Sequence, residues 1–63
     1  MAFAENLCRL QAEREESNYR LAKELRVSQA SVANWRDGKT KPLPAYLEKL
    51  AAHFGVTVEE MKS

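Results

Sequence analysis

Apolar side chains in this chain recur at helical spacing, in short runs separated by capping and helix-breaking residues, which confines it to a bundle of short helices. Phe3, Leu7 and Leu10 form one stripe on a first helix that runs to about Arg14. Leu21, Ala22 and Leu25 form a second, with Ser17 or Asn18 at its N-cap. Ser28 and Ser31 then restart the pattern, and Val32 with Trp35 supplies the buried side of a third helix that Asp37-Gly38 ends. The segment from Lys39 to Pro44 reads as a loop, because proline lacks a donor and restrains the residue before it, yet Pro44 can open the next helix. Leu47, Leu50, Ala51 and Phe54 line that fourth helix. Gly55 suits its left-handed end, and Thr57 with Glu60 makes a capping box for a last turn. The expected fold is therefore all-α, one domain over residues 1–63, with no internal repeat or linker.

Sixty-three residues build a single small core, and a deep catalytic cleft is not expected of them. We expect no enzyme and no cofactor. Hydrophobic residues are 44% of the chain and charged residues 30%, a globular balance rather than a disordered one. Cys8 stands alone, so no internal disulfide forms and a thiolate zinc site lacks its second ligand; it reads as a small hydrophobe. His53 has no second histidine or cysteine at ligand spacing, which leaves no metal site. Glu13, Glu15 and Glu16 read as a solvated acidic helix end, and Trp35 and Phe54, both on apolar faces, as core rather than stacking platforms. The N-terminal residues lose their apolar character too soon for a signal peptide and no stretch is long enough to span a bilayer, so a cytoplasmic location without membrane contact is expected.

A net charge of +1 hides an uneven distribution. Residues 1–17 set Arg9 and Arg14 against Glu5, Glu13, Glu15 and Glu16. Residues 18–41 set Arg20, Lys23, Arg26, Arg36, Lys39 and Lys41 against only Glu24 and Asp37, and the remainder is again slightly acidic. A basic middle between acidic flanks suits a surface that faces a polyanion, although charge alone does not separate that from a chance distribution.

The run from Leu21 to Val32 carries the strongest mechanical signal. Two short helices crossing steeply need a small residue at the contact, which Ala22 supplies, while Leu21, Leu25, Val27 and Val32 fill the wedge. The second of them is left protruding. Its outward positions, Gln29, Ala30, Ser31 and Asn34, are neutral and short in a charge-rich chain, where lysine and glutamate are expected on a merely solvated face. Amides there can bridge N6 and N7 of adenine, and a methyl group can meet the thymine methyl. The alternative is a polar helix face with only water against it.

From Asn18 to Val58 the chain resembles the lambda-repressor-like helix-turn-helix family, in particular the repressor and Cro domains of temperate phages. The resemblance is carried by Leu21-Ala22, Val27-Ser28-Gln29, Trp35 before Gly38, Gly38-Lys39-Thr40-Lys41, Leu50-Ala51 and Gly55-Val56, in that order. It implies sequence-specific binding to an operator in double-stranded DNA by a bacterial or phage-encoded regulator, most simply a repressor. Base contacts are then expected from Gln29, Ala30, Ser31 and Asn34, and phosphate contacts from Ser17, Asn18, Ser28, Arg36, Lys39, Thr40 and Lys41. A module of the same fold that chiefly binds another protein, as an antitoxin or antirepressor does, is the alternative.

Departures from the family pattern set further expectations. Asn18 stands where relatives usually have glutamine, and Arg26 where they often have a glycine with positive φ. Arg36 replaces a glutamate that in relatives pairs with an arginine at the position of Gln11, so both partners of that pair are gone. The sequence leaves Arg36 to Glu13 or to a phosphate. The last helix, with Glu60 and Lys62 beside Met61, is polar for a dimer surface, so a homodimer is expected on DNA rather than in free solution.

Overall fold

A computed structural model describes residues 2–62, and within them five helices follow one another with no strand between. They are α1 (Phe3–Arg14), α2 (Asn18–Leu25), α3 (Gln29–Asp37), α4 (Pro44–Phe54) and α5 (Val58–Lys62). The all-α bundle expected from periodicity is thus the observed one. None of the described helices is long and apolar enough to cross a membrane.

Local chemistry places each boundary. Ser17 caps α2 by accepting the Arg20 N–H at 3.1 Å, and Ser28 caps α3 by accepting the Ser31 N–H at 3.1 Å. Pro44 opens α4 where its missing N–H costs nothing. Thr57 and Glu60 close the expected capping box in both directions, with bonds of 3.0 Å to the Thr57 hydroxyl and 2.8 Å to the Glu60 carboxylate. The first four helices all end the same way: one residue turns left-handed, and the N–H of the residue after it bonds back across six residues, as in Val27 to Ala22 and Val56 to Ala51, each at 3.0 Å. Gly38 and Gly55 fill that position without strain, at φ of 76° and 72°. Arg26 and Glu15 fill it with a side chain, at φ of 60° and 53°. The positive φ expected at Arg26 is present, and the one at Glu15 had no glycine to signal it.

The core draws on every helix: Leu7 and Leu10 from α1, Leu21, Ala22 and Leu25 from α2, Val32 and Trp35 from α3, Leu50, Ala51 and Phe54 from α4, and Met61 from α5. Trp35 and Phe54 are core residues, and Tyr46 lies against Trp35 with ring centroids 6.2 Å apart. Helix α1 packs on α3 and α5, α2 on α3 and α4, and α4 on α5. Although α5 looks polar in sequence, Met61 is fully buried, and the Asn6 amide donates to the Glu60 and Met61 carbonyls at 3.1 and 2.9 Å. One short helix is thereby tied to the first, and Gln29, Ala30 and Asp37 of α3 lie exposed on the side away from Val32 and Trp35.

Candidate nucleic-acid interface

With roughly 100° of rotation per residue, the buried pair Val32 and Trp35 fixes which side of α3 faces away from the core. Ala30, Ala33, Asn34 and Asp37 fall near the centre of the opposite side, with Gln29 and Ser31 at its edges. Gln29, Ala30 and Asp37 are exposed, and Ser31, Ala33 and Asn34 are half-buried. The four expected base-reading residues therefore share one face. Ala33, one turn beyond Gln29, belongs to it as well, as does the carboxylate of Asp37 at its far end; helical spacing alone could have included both.

Ser28 is occupied by its cap, and its hydroxyl lies 3.1 Å from that of Ser31, so these two act as a coupled pair at the start of α3. Lys39, Thr40 and Lys41 are exposed on the loop immediately after α3. Ser17, also exposed, and half-buried Asn18 stand at the start of α2, where unpaired backbone N–H groups favour an anion. Neutral hydrogen-bonding groups in the middle and cationic or helix-start groups around them form a surface suited to a polyanion that carries a readable edge.

Arg36 does not pair with Glu13. The carboxylate of Glu13 is held by Arg9 one turn earlier at 3.3 Å, an exposed pair of little energetic weight. The Arg36 Nη1 instead donates to Gln11 Oε1 at 3.0 Å and to Asn18 Oδ1 at 3.3 Å. The positions that lost their opposite charges still meet, now through a guanidinium and a neutral amide. Gln11 is buried to 1% exposure and makes three bonds, to Arg36, to Asn18 and to the Glu16 carbonyl. Nothing in its stripe of neighbours marked it as buried, because burial of an amide is unfavourable until its partners are known.

Glu16 also differs from the expectation of a solvated acidic end. Both of its carboxylate oxygens lie 2.9 Å from His53 Nε2, with the two side chains 10% and 19% exposed, so the turn after α1 is fastened to the end of α4. The His53 ring stands edge-on to Phe54 at 4.9 Å, and the Arg14 guanidinium lies over the Phe54 ring 5.4 Å from its centroid. The partners are far apart in sequence, which is why spacing could not reveal them.

Comparison with known proteins agrees with this arrangement. A family model described as helix-turn-helix matches residues 10–61, which takes in all of α2, α3 and α4. The crystal structure of a transcriptional regulator from Listeria innocua superimposes with a TM-score of 0.90 at 39% sequence identity. That alignment covers 94% of this chain and 55% of the other, so the chain spans little more than half the length of its structural neighbour. No curated protein matches. With α2 and α3 packed on each other, the match across most of the chain and the shared fold, the chain belongs to the Cro/C1-type helix-turn-helix family.

Proposed function

We propose that this chain binds double-stranded DNA as a transcriptional regulator, in the manner of a phage-type repressor, with α3 lying in the major groove. The observation that carries the reading is the α3 face from Gln29 to Asn34, uncharged until Asp37 at its far end, with Lys39 and Lys41 exposed on the loop that follows and Asn18 at the start of α2 bonded to Arg36. A helix used only for solubility has no reason to exclude lysine and glutamate from that strip. The family and the neighbouring regulator support the same conclusion.

In this reading Gln29 and Asn34 bridge adenine edges, and the methyl groups of Ala30 and Ala33 meet thymine methyls. Ser31 contributes a hydroxyl to either base type. Lys39, Thr40, Lys41, Ser17, Ser28, Asn18 and Arg36 fix register through the phosphates, and supply affinity without sequence information. Two copies bind a two-fold symmetric operator. Selection of bound sites from random duplex DNA tests the whole proposal: enrichment of a short symmetric motif with half-sites about 34 Å apart supports it. Recovery of unselected sequences, with binding only at low salt, refutes sequence-specific regulation.

A further inference from the structure

The polar cluster beneath the start of α2 has only one consistent arrangement of donors and acceptors. A backbone carbonyl can only accept, so the atom facing the Glu16 oxygen at 3.1 Å is the Nε2 of Gln11. The opposite end of that amide is Oε1, and it meets Arg36 Nη1, which can only donate, at 3.0 Å. Gln11 Nε2 and Arg36 Nη1 then converge on a single atom of Asn18, at 3.2 and 3.3 Å. Two donors require an acceptor there, so this atom is Oδ1. The Nδ2 of Asn18 is left directed away from the cluster with its two hydrogens uncommitted.

The consequence is directional. An asparagine amide otherwise rotates between two broad orientations, one of which would present oxygen to an approaching phosphate. Here the oxygen is held inward and only donors face out. Arg36, bonded to neutral oxygens alone, keeps its full charge beside them.

The geometry points to Gln11 as a positioning residue for DNA backbone binding: from within α1, where it cannot reach DNA, it orients the Asn18 amide and the Arg36 guanidinium toward one phosphate. This rests on Asn18 being a backbone contact, as proposed above. The cluster replaces a charge pair by an amide clamp, and the clamp makes α1 part of the recognition apparatus.

Gln11→Leu and Asn18→Ala separate the two statements, because both replace neutral by neutral and leave the chain's charge unchanged. Affinity for the selected operator and for an unrelated duplex is measured across a salt series. Each variant should weaken binding to both DNAs severalfold and by the same factor, and the double variant should weaken it no further. The slope of log affinity against log salt should fall only for Gln11→Leu, which releases the charged Arg36, because the neutral Asn18 amide displaces no counterion. The preference for operator over unrelated duplex should stay within twofold of the parent. Weaker binding to both DNAs for Asn18→Ala, with affinity and slope unchanged for Gln11→Leu, overturns the role of Gln11 and keeps Asn18 at the backbone. Unchanged affinity for both removes Asn18 from the interface and the inference with it. Circular dichroism confirms folding, and Gln11→Met, with an unbranched chain, replaces the leucine variant if that one unfolds, under the same criteria.

Discussion

Arg26 occupies a left-handed position, φ 60° and ψ 44°, that the turn between α2 and α3 imposes on it. The β-carbon makes that conformation costly by about 1 to 2 kcal/mol, whereas glycine enlarges the unfolded ensemble at a cost of about 0.5 to 1 kcal/mol. The steric term is the larger. Arg26→Gly should therefore raise stability by about 0.5 to 1 kcal/mol, a few degrees in melting temperature for a domain of this size. The Arg26 side chain is exposed and has no ion-pair partner among the described residues, so little else is lost with it. Operator affinity and its salt dependence should be unchanged, since α2 reaches the proposed interface through its first residues and Arg26 follows its last. A melting temperature below the parent's would show that the arginine makes a compensating contact in solution. Glu15, at φ 53°, is in the same backbone state, but the next residue, Glu16, is fixed to His53. There the hydrogen bond to His53 holds the turn in place after α1, whereas after α2 the hydrophobic seat of Val27 does so.

At the level of elements, α3 and the loop after it should respond to substitution in opposite ways. Asn34→Ala or Gln29→Ala removes a base contact, and should cost about 1 to 3 kcal/mol on the selected operator while leaving binding to unrelated duplex nearly unchanged. Lys39→Ala or Lys41→Ala removes a phosphate contact, and should weaken all sequences alike with a salt slope lower by about one unit. Fluorescence titrations on both duplexes at several salt concentrations distinguish them; equal losses on both DNAs for Asn34→Ala would take α3 out of the groove. The helices themselves were legible in sequence, because caps, prolines and apolar spacing act within a few residues. Ser17, Ser28, Pro44, Gly55 and the Thr57–Glu60 box all stand where local chemistry puts them. What was not legible depends on distant partners. Met61 reads as an apolar residue in a polar turn until α1 and α4 are seen to enclose it, and Gln11 reads as one half of a lost charge pair until Arg36 and Asn18 are seen to bond it from two other helices. His53 and Glu16 meet only because α4 returns past the end of α1.

At the scale of the whole molecule, size decides how two copies can meet. The Cα positions span 24 × 23 × 20 Å, and side chains add about 3 Å on each side of a helix, which gives a body about 30 Å across. Half-sites one helical turn apart lie about 34 Å centre to centre, so two such bodies on one face of the duplex meet edge to edge. An edge contact buries far less than the roughly 1,000 Å² that a stable interface requires. The helix expected to serve as a dimer surface offers no alternative, because its apolar residues, Val58 and Met61, pack on the core and Glu59, Glu60 and Lys62 are exposed. Association must then draw on DNA, which holds the second copy at a high local concentration and turns a weak contact into a cooperative one. The chain should sediment as a monomer at micromolar concentration and as two copies per duplex on the selected operator. Insertion of five base pairs between half-sites, which rotates one copy to the opposite face, should abolish cooperativity while each half-site still binds singly. A stable dimer in the absence of DNA, or cooperativity that survives the insertion, would mean that the copies meet through a larger surface than an edge between two helical bodies of this size can provide.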